Sequence, residues 1–177
     1  PLPWRGRSSV ASDQSPSARA EIEAFGGKDG GFGFRHFILH HARLAKRAGG
    51  VDTFLIGSEM ARLSQIRDQN GQFPFVEALV ELADEVKAIL GPQTRVSYAA
   101  NWTEYGAYAP GDGSGDVLFP MDQLWASDSV DFVGVDWYPP ASDWRSGETH
   151  LDYEIAQGRI EAESYLRSGM TGGEAFD

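Results

Sequence analysis

Val51-Asp52-Thr53-Phe54-Leu55-Ile56-Gly57-Ser58-Glu59 decides the reading of this chain. Its core is nearly unbroken in apolar character, where a strand with one wet face would alternate. It therefore reads as a strand over 51–57 covered on both faces, as in a parallel sheet. Two further stretches behave alike, Thr94–Ala100 and Val130–Trp137. Before the first strand, Phe34, Phe37, Ile38, Ala42, Ala45 and Ala48 recur at helical spacing and Gly49-Gly50 closes the run. Between the first two, Pro74 suits a first helical turn. Phe75, Val76, Leu79, Leu82, Ala83, Val86, Ile89 and Leu90 then form one stripe, stopped by Gly91-Pro92. A short helix is predicted near Met121–Trp125 and a longer one over Asp152–Arg167. Ser168–Gly173 reads as a loop. Strands spaced about 40 residues apart with helices between them are the rhythm of βα units.

The whole of 1–177 reads as one domain segment. Residues 1–33, rich in Gly, Ser, Asp and Pro, form an irregular loop with one short helix near Ser17–Phe25, and 34–177 carry the βα units. No Gly-x-Gly-x-x-Gly follows any strand, so a dinucleotide-binding sheet has no support. The chain opens without an initiator Met and is expected to be a piece of a longer protein.

Composition narrows the partners. A formal net charge of −11 repels phosphate backbones, so nucleic acid is not expected. No stretch of about 18 apolar residues is present, so no membrane insertion is expected. The absence of cysteine excludes disulfides, zinc–thiolate sites and thiol nucleophiles. His36 and His40 share one helix face, with His41 adjoining, but no third ligand joins them, and Asp112-Gly113-Ser114-Gly115-Asp116 lacks the spacing of a calcium loop. The histidines are read as an outer helix surface and the second motif as a mobile loop. No metal and no cofactor is expected.

In a barrel of βα units, chemistry collects where strands finish. The first strand ends in Ser58-Glu59, the second in Asn101-Trp102-Thr103-Glu104-Tyr105 and the third in Asp136-Trp137-Tyr138. Carboxylates and amides bind hydroxyl groups, and flat aromatic rings cover the apolar faces of sugars. This chemistry suits a carbohydrate. Glu59 has a plainer reading as a solvated residue at a helix start, and the tryptophans, Trp144 included, as packing.

Phe54–Met60, Ser97–Tyr105 and Val130–Pro139 resemble strands four, five and six of clan-A glycoside hydrolases, the endo-β-mannanases above all. The whole chain resembles the TIM-barrel-like domain of phage-tail hub proteins, the host-specificity proteins of gene transfer agents. Pro3-Trp4-Arg5-Gly6-Arg7, Gly111–Val117, Ser142-Asp143-Trp144-Arg145 and Gly172–Asp177 carry that likeness. It implies an α/β fold, a glycoside-hydrolase-like (β/α)₈ TIM barrel, with this chain covering about strands 3 to 6. It places the general acid/base on Glu59, and Ser58 where the clan has Asn. Ser58, Asn101, Trp102, Glu104, Asp136, Trp137 and Tyr138 become candidate substrate contacts.

The opposing nucleophile would close a seventh strand. Glu174 follows a loop instead, so the chain alone is expected to be catalytically silent. The implied role is to engage, and in the complete domain to hydrolyse, a cell-surface or cell-wall glycan, a β-glycan or peptidoglycan. The implied setting is a phage-like particle tail, made in the bacterial cytoplasm, acting outside the cell and joined to other tail proteins. The alternatives are a non-catalytic glycan-binding or structural tail module and a free-standing cellular β-glycanase.

Overall fold

Three parallel strands in the order β1-β2-β3 form the sheet: β1 (Thr53–Ser58), β2 (Arg95–Asn101) and β3 (Gly134–Asp136). The computed structural model describes residues 11–27, 30–138 and 144–172. The parallel order expected from the strand spacing is the order observed.

The helices of this part are α1 (Ala18–Gly26), α2 (Phe34–Arg47), α3 (Ala61–Ser64), α4 (Pro74–Leu90) and α5 (Asp122–Trp125). α4 is the hub, packed against α1, α2 and α5 and against β1 and β2. Its stripe buries Phe75, Val76, Leu79, Leu82, Ala83, Val86 and Leu90 against Ile56 of β1 and Val96, Tyr98 and Ala100 of β2. Each of the larger of these side chains withdrawn from water contributes about 1.5–3 kcal/mol. On α2 the expected stripe is too wide. Ile38, Leu39 and Ala42 are buried, whereas Phe37, Ala48 and the three histidines stand exposed. Before α2, the short helix expected near Ser17–Phe25 is present as α1. Ala18 and Ile22 are buried, and Arg19 bridges Asp68 and Glu77.

The third strand is shorter than its sequence. Val130–Phe132 has strand composition, yet pairing begins only at Gly134. Asp131 donates its N–H to the Val96 carbonyl (2.8 Å), but the Val96 N–H is taken by the Asp131 carboxylate (2.6 Å). A side chain thus occupies the place of a ladder carbonyl. Lys87 Nζ, 2.7 Å from the same carboxylate, also donates to the Thr94 carbonyl (2.8 Å). Lys87 and then the Val96 N–H hold the Asp131 carboxyl below its ordinary 3.8. A depressed carboxyl stabilises the fold above its unfolded pKa and loses that contribution as pH falls through its folded value. Lys87→Met is therefore expected to lower stability at pH 7 by about 1–2 kcal/mol. The gap to wild type should shrink below pH 3.8. Urea midpoints for both proteins at pH 7 and pH 3 check this, and an equal gap at both would refute it.

The described residues fall into two compact units, within Pro1–Asp136 and Trp137–Asp177. In the second, the single helix expected over 152–167 is two, α6 (Leu151–Ile155) and α7 (Glu163–Gly172). They are parted at Gln157 and Gly158, both at positive φ. The loop expected from Ser168 is the last part of α7. Trp144 packs there against His150, Tyr153 and Tyr165, with ring centroids 5.1, 5.8 and 6.1 Å away.

Three strands lie among the described residues, the number read from the sequence. The motifs at Pro3–Arg7 and Ser142-Asp143, together with Pro139 and Glu174, lie outside the described residues.

Candidate functional site at the strand ends

Glu59 terminates β1 in an unusual conformation. The β1–β2 register slips between Leu55 and Ser58, a bulge that turns the strand end. Just past it Glu59 has φ +54°, the left-handed region, with its N–H donated to the Ala99 carbonyl (2.9 Å). The next N–H, of Met60, is donated to the Tyr98 hydroxyl (2.8 Å). A non-glycine residue held there costs of order 1–3 kcal/mol, and such strain concentrates at functional sites. Glu59 is 6% exposed and precedes α3, so it is not the solvated helix-start residue of the plainer reading.

Asn101 closes β2 beside it. Its Nδ2 donates to Glu59 Oε1 (3.3 Å), and its Oδ1 accepts from the Thr103 N–H (3.0 Å) and hydroxyl (2.7 Å). Two donors on the oxygen fix which end of the amide meets Glu59. Asp136 is the register partner of Asn101, as Ser58 is of Ala99. Strand side chains alternate, so Ser58, Asn101 and Asp136 leave the sheet on one face. Tyr98 and Ala100 leave on the other, against the helices. Trp102 is 57% exposed next to Asn101. Trp137 and Tyr138 follow β3 in sequence, begin the second unit and are 66% and 80% exposed.

Glu104 lies elsewhere. It is 1% exposed and all its described contacts are to protein donors. Oε1 accepts from the Ser64 hydroxyl (2.7 Å) and the Tyr98 hydroxyl (3.0 Å), and Oε2 from the Asn101 N–H (3.1 Å). Burial pushes its carboxyl up against the pull of these donors, and the Glu59 charge pushes the same way. Burial, then the Glu104 charge, drives the Tyr98 hydroxyl well above its usual value. Glu104 sits beneath the strand ends rather than on them. Ser64 and Tyr98 escaped the sequence reading. The available signal was a tyrosine within Arg95-Val96-Ser97-Tyr98-Ala99-Ala100-Asn101, because a buried phenol needs a partner for its hydroxyl.

The loop after β2 is anchored. Arg67 pairs with Asp13 (2.6 Å) and with Asp112 (2.8 Å), and Asp112 also accepts the Ser114 N–H (3.0 Å). The Ser114 contacts and Arg67 hold the Asp112 carboxyl far below the usual range. The loop expected to be mobile is thus tied through Asp112 to the α3–α4 connection.

Chemically, the strand ends offer a partly enclosed carboxylate beside an oriented amide, with an exposed indole as neighbour. That set can bind hydroxyl groups and exchange a proton. Among the described residues no helix is long and apolar enough to cross a membrane. No curated protein and no solved structure matches the chain. A family model, the GTA TIM-barrel-like domain, matches residues 32–177, which include every described strand and every candidate contact. The chain therefore belongs to the GTA TIM-barrel-like domain family, which associates it with the phage-like particles of gene transfer agents.

Proposed function

We propose that this chain is the glycan-engaging part of a glycoside-hydrolase-like domain in a particle tail. On this reading Glu59 is the general acid/base, and Ser58, Asn101, Trp102 and Asp136 contact sugar. Trp137 and Tyr138, exposed in their own unit, are proposed as further stacking surfaces. One observation carries the reading: a strained, nearly buried glutamate ends a parallel strand with an oriented asparagine amide on its carboxylate. The ligand is proposed to be a cell-surface or cell-wall glycan, and other tail proteins are proposed as neighbours in the particle.

The test is titration of the chain with β-manno-, β-gluco- and chito-oligosaccharides and peptidoglycan fragments, followed by calorimetry. Trp102→Ala is expected to weaken binding roughly 2–10-fold, the worth of ~0.5–1.5 kcal/mol of ring contact. Binding to none of these, or equal binding by the variant, would defeat the proposal.

A second reading has its own support. Retaining hydrolysis needs two carboxylates about 5–5.5 Å apart. Glu104, a buried carboxylate that feels the Glu59 charge, is committed to three protein donors. The same surface would then bind glycan without cleaving it. Affinity without release of reducing ends, in the whole protein, selects this reading.

A further inference from the structure

We propose that Glu104 is a positioning residue for Glu59, one buried carboxylate that fixes both the backbone that follows Glu59 and the amide that touches its side chain. The inference rests on the reading of Glu59 as the group that meets the ligand.

The first branch runs through Tyr98. A phenol has one proton to give. The Tyr98 hydroxyl accepts the Met60 N–H, so its own proton goes to Glu104 Oε1 at 3.0 Å. The chain Met60 N–H to Tyr98 to Glu104 therefore grips the peptide directly after the residue at φ +54°. Left-handed glutamate persists only where its surroundings over-determine it, and this grip is one of those determinants. The second branch runs through Asn101. Glu104 Oε2 accepts the Asn101 N–H at 3.1 Å, while the Asn101 side chain donates to Glu59 at 3.3 Å.

A carboxylate that is 1% exposed is expensive, and an apolar residue of similar volume would suit this core better. What an apolar residue lacks is acceptors. Ser64, Tyr98 and Asn101 come from α3, β2 and the end of β2, and all three present protons to one group. A ligand contact would need exposure and an open lone pair aimed outward. Glu104 has neither the exposure nor the position. Its burial pushes its carboxyl up, so its charge depends on keeping those donors.

Two isosteric variants separate the branches. Tyr98→Phe deletes the hydroxyl that holds Met60 and leaves the Asn101 branch intact. Glu104→Gln retains an oxygen for Ser64 and Tyr98 but turns an NH₂ toward the Asn101 N–H, donor against donor. Amide hydrogen exchange is followed by NMR on the full chain, with Glu59→Gln as reference and urea midpoints as control. Losing a buried partner is worth ~1–3 kcal/mol, so exchange should quicken roughly fivefold or more. The quickening should appear at Met60 in Tyr98→Phe and at Asn101 in Glu104→Gln, beyond any change in global stability. In the whole protein both variants should lower kcat with KM nearly unchanged, or weaken glycan affinity if the domain only binds.

Unchanged exchange at both amides overturns the proposal whatever the domain does to glycan. Altered exchange with Glu59-dependent function intact overturns it as well. If Glu59→Gln itself leaves every glycan response unchanged, the functional reading of Glu59 fails, and the exchange data alone decide what Glu104 holds. Should Glu104→Gln fail to fold, Tyr98→Phe and Ser64→Ala still test the grip at Met60.

Discussion

Glu59→Gln is expected to lower turnover of natural glycans by about 10²–10⁴-fold in the whole protein, the usual worth of positioned proton transfer. Gln keeps an oxygen for the Asn101 amide, so the 3.3 Å contact and the backbone bonds to Ala99 and Tyr98 survive. What disappears is the acid that the proposed role assigns to Glu59. An alkoxide leaving from a glycan needs its proton, whereas an activated aryl oxide leaves almost unaided. The loss should be large on β-mannan, β-glucan or chitin oligomers and small on a nitrophenyl glycoside. Initial rates on both classes, with urea midpoints as a control for folding, give the comparison. Equal losses on the two classes count against the acid role. No turnover by wild type, with affinity retained by the variant, selects the binding module.

Much of the scaffold behind this expectation is readable from the sequence alone. The unbroken run at Phe54–Ile56 and its echoes at 94–100 and 130–137 specify a parallel sheet, and α4 announces itself through Pro74, its stripe and Gly91. Local pattern fails where side chains replace backbone or cross long stretches of chain. Asp131 truncates β3 by bonding as a carboxylate where a strand carbonyl would, which no propensity describes. Phe37 keeps helical spacing yet stands exposed, because spacing gives an arc and only packing says which part of it is covered. Gln157 and Gly158 split a helix whose composition looked continuous.

The site divides the same way. Glu59, Asn101 and Asp136 are legible because strand ends are legible. The support beneath them is not, since Ser64, Tyr98 and Glu104 meet only through the fold. Asp13, Arg67 and Asp112 likewise join residues 45 and 54 positions apart.

The largest loss of stability is expected from Gly134→Ala. A Cβ added at Gly134 would stand 2.5 Å from the Tyr98 carbonyl oxygen and 3.5 Å from the Ala99 Cα. Both are backbone atoms of β2, so no rotamer change relieves the contact and β3 has to retreat. Gly57 makes the contrast. Its added Cβ would meet ring atoms of Phe34 at 3.0 Å and Tyr98 at 3.1 Å, side-chain rather than backbone atoms and less close than the 2.5 Å at Gly134. Overpacking typically costs about 1–3 kcal/mol, so Gly134→Ala should reach the top of that range and Gly57→Ala the bottom.

β3 holds only three register pairs, Ala99 with Gly134, Ala100 with Val135 and Asn101 with Asp136. A strand so short should detach before the α4 core melts. Loss of exchange protection should therefore be confined to β3 and its edge on β2, with α4 amides still slow. Because Asp136 leaves the side of Asn101 in that event, glycan affinity should fall together with β3 protection. Gly134→Ala within about 0.5 kcal/mol of wild type, the range of neutral surface changes, would mean that β3 is not seated against β2 as described. The juxtaposition of Asn101 and Asp136 on which the site depends would then fall with it.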